Sequence, residues 1–528
     1  MELDARGLSD GSILDADLCI IGAGPAGIAL AREFIGLDID VLLLESGGWD
    51  SDEWPQTLNE GAVAGDPYAG LRPTRHRRVG GTTGIWNTPV RGESGAKYVP
   101  LDPWDFAPPR SKMATGWPIG REELDPFYRR AQTICALGPF GYEARDWATP
   151  RQSPLRMSSD WLATRVYQFG TRRPFGTIYP SQLREAGNVR LCHHATACRL
   201  IPDGTGARVV EARVAAPTDR WHRVRATTFV LAGGAIENPR LLLSSGLGND
   251  LVGRYFMEHP RDHALTLLPA TPALFTEAGF YDAHLAADGT IVGGRLALSE
   301  RAILDAGHPN ASLTLLPRLR ADSPPSGIVG RLARRLREMV VPGPREGYGW
   351  SKLRDPARCF DAFRILVNLE QRPHPENRVS LGKERDALGM PRPVLHWYWR
   401  HEEQEELVRL RALLVSTLES AGLGRVEVNA ASPADPNAHH HSGTTRMARD
   451  PRNGVVDADG RVHGTRNLFV AGASVFPTAG FANPTLTVVA LALRLADHLK
   501  AGARPDFPRY PPEGRAPPGD NPGVEHGS

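Results

Sequence analysis

The chain has 528 residues, 41% apolar and 23% charged, and its 62 Lys+Arg against 60 Asp+Glu leave a formal charge of +2. Such a chain is long enough for about three domains and a large core. The balance excludes the strongly basic footprint of most nucleic-acid-binding domains and the apolar-poor, highly charged composition of a disordered chain.

Residues 1–15 are polar, read as a loose leader, and lack the apolar stretch of a secretory signal. Leu18-Cys19-Ile20-Ile21 then predicts a strand, followed by a glycine turn, a helix to about Ile35 and a second strand over 40–44 that ends at Glu45. Residues 46–130, rich in Gly, Pro and Trp, read as long loops with a helix near 122–137. Short strands follow over 190–231, ending in a second glycine turn and a helix over 239–244. Strand-like runs at 263–268, 291–298, 311–316, 363–369, 378–381 and 394–399 predict one mainly antiparallel sheet of about six strands. A basic amphipathic segment, GRLARRLREMVV, interrupts them within 321–350, and 403–421 predicts a charged amphipathic helix. A strand at 467–471 returns to a third glycine turn before a helix over 485–500, and a Pro/Gly-rich tail from 501 is expected to be disordered. The fold class is therefore α/β: a Rossmann-like domain assembled from discontinuous segments, with an α+β second domain.

Cys19, Cys135, Cys192, Cys198 and Cys359 form no C-x-x-C pair, so neither a disulfide framework nor a zinc ribbon is expected. With no run of about 18 apolar residues, a membrane-spanning helix is not expected either. A cytoplasmic protein is the default.

Gly22-Ala23-Gly24-Pro25-Ala26-Gly27 lies between an apolar strand and a helix. Gly22 permits the tight turn, Gly24 lets a pyrophosphate reach the backbone, and Gly27 lets helix and strand pack closely. The helix N-terminus offers free N–H groups to phosphates, and Glu45 is placed to accept from an adenosine ribose. This pattern predicts dinucleotide binding without separating FAD from NAD. The far end of the chain favours a flavin. Asn483-Pro484-Thr485 opens the last helix, with Asn483 suited to the N-cap and Pro484 to the first turn, and a helix start there can face the anion formed on flavin reduction. His439-His440-His441 offers candidate bases for taking a proton from an alcohol. A polar loop or a metal site are the other readings of a histidine triplet. No Cys or carboxylate set nearby completes four zinc ligands, so no metal is expected. Asn483 could hold a substrate oxygen, in competition with capping.

Taken together these residues resemble the glucose–methanol–choline (GMC) flavoprotein oxidoreductases. The matching segments are GAGPAG with Glu45, VGGTTGIW at 79–86, GWPI at 116–119, LAGGAIENPRLLLSSG at 231–246, LVGRYFMEHP at 251–260, PHPENRVSL at 373–381, and the closing HHHSGTTRM with FANPTLT. The closing segment is most similar to the branch of pyranose 2-oxidase and the glycoside 3-oxidases. The resemblance implies His440 as catalytic base and Asn483 as second catalytic residue. It implies an FAD site at Gly22, Gly24, Gly27, Glu45, Gly80, Gly81, Thr82, Gly472, Ala473, Asn483, Pro484 and Thr485. Where relatives carry Asp-Ala-Ser, this chain has Gly472-Ala473-Ser474, so a flavin contact there would come from backbone or Ser474. Pyranose 2-oxidase attaches its flavin through a His before a Trp, and Ile85 stands at that position, which implies non-covalent FAD.

The implied organisation is a leader (1–15); FAD-binding segments at 16–100, 186–260 and 436–500; loops and helices at 101–185; a substrate domain at 261–435 with an insertion at 321–350; and a tail at 501–528. The implied activity is oxidation of an alcohol, a ring secondary hydroxyl of a sugar, glycoside or sugar-bearing metabolite, with oxygen or another electron acceptor. A non-redox lyase and a non-catalytic flavin-binding subunit are the alternatives. Neither nucleic acid nor membrane is an expected partner, and an oligomer is left open. Gln371, His396, Trp397 and Tyr398 could face a polyol or belong to the core.

Overall fold

The computed structural model describes residues 1–107, 116–157, 160–320 and 349–502. The basic segment at 330–341 and the tail beyond 502 lie outside the described residues. Two extended sheets and a small third one organise the rest.

The first sheet has the expected Rossmann-like centre. The strand Ile13–Ile21 pairs in parallel with Val41–Leu44 on one side and Trp221–Leu231 on the other, and Leu468–Val470 pairs in parallel with Trp221–Leu231. Val41–Leu44 is buried at every position, as a parallel strand covered on both faces must be. Helices Pro25–Arg32 and Thr485–Gly502 pack against one another. The last helix thus covers the sheet that the first glycine turn leaves.

The first fifteen residues are not a loose leader. Glu2–Asp4 pairs in parallel with Val189–His193 at the sheet edge, and Ile13 already pairs with Arg223. The Met1 ammonium donates to the carbonyls of Ala186 and Val189. A polar composition suggests solvation, but an edge strand needs only one partner and few apolar side chains.

The second sheet is antiparallel and has nine strands rather than about six. Four of the six predicted strands belong to it: Arg261–Pro269, Ile291–Leu298, Ala311–Leu319 and Phe360–Leu369. It is completed by Thr88–Val90, Glu93–Tyr98, Leu162–Thr171, His284–Leu285 and Gly424–Val428. The other two, Arg378–Arg385 and Pro391–Trp397, leave to form a three-stranded sheet with Ala62–Gly65. Helix His401–Ser420 is fastened to the large sheet by a bidentate ion pair. Arg411 Nη2 and Nε reach the fully buried Asp262 carboxylate at 2.7 and 2.9 Å. All five cysteines are free thiols.

Candidate active site

A cavity of about 790 Å³ runs between the parallel sheet and the nine-stranded sheet. That size is ordinary for a ligand site, roughly 300–1,000 Å³. One end is the glycine turn. Gly22 has φ +113, and a Cβ there would lie 2.7 Å from the Ala232 carbonyl oxygen. A Cβ on Gly81 (φ +58) would lie 2.9 Å from the Gly24 Cα, so two glycine backbones close the wall where no side chain fits. Glu45 is buried, accepting from the Ala23 N–H at 2.9 Å and the Gly47 N–H at 3.0 Å. Burial pushes its carboxyl up to about 7 against those two donors. The residues here fit a dinucleotide cofactor. The N-terminus of helix Pro25–Arg32 opens onto a wall of bare backbone, with a carboxylate at the end of the second strand.

At the other end His440 and Asn483 meet. The Asn483 side-chain nitrogen is 3.1 Å from His440 Nε2, and both residues line the cavity. The last helix begins at Thr485, so Asn483 stands two residues ahead of it with its amide turned to the imidazole. The amide that could have capped the helix is turned to the imidazole instead.

His440 Nδ1 faces His259 Nδ1 at 2.9 Å. The Asn483 amide nitrogen can only donate, so His440 Nε2 accepts and the neutral ring carries its proton on Nδ1. His259 Nδ1 is then the acceptor, His440 Nδ1–H the donor, and the His440 Nε2 lone pair faces Asn483 and the cavity. Burial, then the His259, Arg261, Lys97 and His441 charges, hold His440 well below the usual imidazole range. It therefore stays neutral at ordinary pH.

Glu258 fixes this geometry from beneath. Fully buried, it accepts from the Tyr68 hydroxyl at 2.7 Å and from the backbone N–H groups of His440 at 2.9 Å and His259 at 3.0 Å. Burial pushes it up to about 7. His441 Nε2 lies 2.8 Å from the Tyr68 hydroxyl and 3.3 Å from Glu258. Ligand-type atoms of Glu258, His439 and His441 are close enough to form a three-membered cluster.

Of the residues predicted for the site, Gly22, Gly24, Glu45, Gly81, Thr82, Gly472, Ala473, His440, Asn483, Pro484 and Thr485 line one cavity. Gly27 and Gly80 do not line it. A Cβ on Gly27 would sit 1.9 Å from the Gly22 carbonyl oxygen, and the Gly80 N–H donates to the Ala23 carbonyl, so both shape the turn from behind. Ser474 is buried and bonded by the Asn238 amide at 3.0 Å, leaving Gly472 and Ala473 to face the cavity. Gln371 and Trp397 are core: the Gln371 oxygen accepts from the Glu258 N–H and the Trp397 indole. His396 pairs with Ser380. Sequence reasoning missed Glu258, His259 and Tyr68. The first two stand inside LVGRYFMEHP, a segment noted only as a match.

A nucleotide cradle and an imidazole–carboxamide pair on one cavity define an FAD-dependent oxidoreductase acting on CH–OH groups. Two models of the GMC oxidoreductases match residues 163–261 and 373–492. The chain belongs to the GMC oxidoreductase family. It is 27% identical to the fructose dehydrogenase large subunit of Gluconobacter japonicus over 92% of this chain and 97% of that protein. It is 26% identical to paromamine 6'-oxidase of Streptomyces fradiae over 91% and 90%. It is 30% identical to a C-glycoside 3-oxidase of Arthrobacter globiformis over 56% and 50%. The fold matches the crystal structure of pyridoxine 4-oxidase from Mesorbium loti with a TM-score of 0.53 at 19% identity, covering 92% of this chain and 99% of that one. Among the described residues no helix is long and apolar enough to cross a membrane.

Proposed function

We propose that this protein oxidises a ring secondary hydroxyl of a sugar, glycoside or sugar-bearing metabolite to the ketone, with His440 as catalytic base and Asn483 as the group that holds the substrate oxygen. The observation that carries this reading is the 3.1 Å approach of Asn483 to His440 on the wall of the cavity that begins at the first glycine turn. The relatives named for sugars and glycosides support the substrate class. FAD, when bound, supplies the hydride acceptor.

The protein's own part is orientation and proton transfer. The Asn483 amide donates to the substrate oxygen and fixes the reacting carbon. His440 Nε2 takes the hydroxyl proton, and the His259 ring on the far side keeps that lone pair facing the cavity. Asn368 and Asn437 line the same chamber and offer partners for further hydroxyls. Anaerobic mixing with a panel of sugars, glycosides and simple alcohols tests the reading. Sugars and glycosides should bleach the flavin and yield a ketone. A flavin that no alcohol bleaches would point to lyase chemistry or a non-catalytic role.

Because His440 is held well below the usual imidazole value, its neutral form persists into acid. The kcat/KM for flavin reduction should be level above about pH 6.5 and decline only well below it, as the ring protonates. A stopped-flow pH series checks this, and an acid limb above neutrality would contradict it.

We also infer that FAD is held non-covalently, since Ile85, which lines the cavity, has no atom able to form the link. Acid precipitation should release yellow FAD into the supernatant. Flavin left in the pellet refutes this.

A further inference from the structure

We propose that Asp4, His193 and His194 form a binding site for a divalent transition-metal ion, zinc by preference, which clamps the N-terminal strand to the edge of the parallel sheet. The proposal is independent of the redox reading. His193 ends the strand Val189–His193. Consecutive strand residues ordinarily point to opposite faces. Here His194 takes φ +53, which turns its ring back beside that of its neighbour. The two Nδ1 atoms face one another at 2.8 Å, and Asp4 Oδ1 lies 3.5 Å from His194 Nδ1.

The outer ring nitrogens identify the chemistry. His193 Nε2 is 3.0 Å from Glu2 Oε1, and His194 Nε2 is 3.1 Å from Asp52 Oδ2. A carboxylate accepts and does not donate, so each Nε2 carries the proton and each Nδ1 presents a lone pair. Two imidazole lone pairs converging on one point repel unless a cation sits between them, and Asp4, whose carboxylate Arg6 also holds with Nε 3.0 Å from Oδ1 and Nη2 2.7 Å from Oδ2, lies close enough to share an oxygen with that cation. Metal-ligating histidines commonly give their other N–H to a carboxylate in this way. Both histidine side chains are nearly buried, at 7% and 6% exposure, whereas Asp4 at 34% leaves an entry.

The spacing suits zinc. Tetrahedral nitrogen ligands at about 2.0–2.1 Å from the ion lie about 3.3 Å apart, so the imidazoles need to part by only about half an ångström. Water takes the fourth position. Glu2 and Asp4 come from the first strand and Asp52 from the loop after Glu45. The ion would therefore tie three stretches of chain together. The proposal departs from the expectation from sequence that the chain holds no metal, because Asp4 lies 189 residues before the adjacent His193 and His194 and the three match no familiar spacing.

The test uses untagged full-length protein carrying its flavin. Elemental analysis after growth with zinc should find about one ion per chain. After chelation, Zn2+ should raise the melting temperature by about 3 °C, and Co2+ should give the visible absorption of a tetrahedral site. His194→Ala and Asp4→Asn should lose the ion. Asp52→Asn, which removes only an outer partner, should keep it with affinity lowered about 10–100-fold. Should His194→Ala fail to fold, the wild-type titration and Asp52→Asn decide. A wild-type protein without metal and indifferent to Zn2+ and Co2+ overturns the proposal in favour of a proton shared between the two Nδ1 atoms. A metal retained in His194→Ala also overturns it, placing the ion instead at Glu258, His439 and His441.

Discussion

His440→Ala should lower the rate of flavin reduction by about 10²–10⁴-fold, the usual contribution of a positioned general base, while FAD stays bound. The residues expected to hold the cofactor are others that line the cavity, at the glycine turn, Gly81–Thr82 and Gly472–Ala473. The fold should tolerate the change. Truncation leaves His259 Nδ1 without its partner at 2.9 Å, a loss of about 1–3 kcal/mol for one buried group. Asn483 loses a bond but faces the cavity, where water can replace it. Anaerobic stopped-flow absorbance reads the rate, and the ratio of flavin to protein absorbance reads occupancy. If the variant reduces its flavin as fast as the parent, His440 is not the base.

Gly27→Ala is the second large effect, and it acts on the fold rather than the chemistry. The added methyl carbon would stand 1.9 Å from the Gly22 carbonyl oxygen and 3.4 Å from the Ile20 side chain. The first obstacle is backbone, which cannot swing aside as a side chain would. Helix Pro25–Arg32 must lift off the strand, opening the turn that Gly22 and Gly24 shape. We expect a loss of at least about 3 kcal/mol, the upper part of the range for overpacking, and protein purified with little or no flavin. Gly7→Ala is the control: nothing lies within 4 Å of a Cβ built there, so its stability should match the parent within about 0.5 kcal/mol and its flavin content should be unchanged. A yellow, stable Gly27→Ala protein would show that the helix–strand contact is not what shapes the cradle.

These expectations rest on residues of different legibility. Gly22, Gly24 and Gly27 could be read directly, because a tight turn and a close helix–strand contact restrict residue type within six consecutive positions. His440 and Asn483 came through resemblance, and the cavity then brought together residues 43 positions apart. Glu258, His259 and Tyr68 were on the page as letters without roles. Tyr68 meets His441 across 373 positions, and His259 meets His440 across 181. The choice left open between backbone and Ser474 was illegible for the same reason. The Ser474 hydroxyl accepts from Asn238, 236 positions away, and nothing local to Gly472-Ala473-Ser474 announces that partner.

The sheets divide in the same way. Strand-like apolar runs marked all six predicted strands, since that signal depends on how each segment buries its own side chains. They could not say that Arg378–Arg385 and Pro391–Trp397 would join Ala62–Gly65 instead of the large sheet, nor that Glu2–Asp4 would find an edge at Val189–His193. By itself, the amino-acid sequence determined the nucleotide cradle and the class of fold, because both are written in short-range geometry, whereas His440 and Asn483 were singled out only through resemblance. Only the tertiary structure decided which strands pair, which imidazole backs His440 and which carboxylates gather around His193 and His194. Those choices are made by competition for burial and hydrogen-bond partners among segments far apart in the chain, and no local pattern records the outcome of that competition.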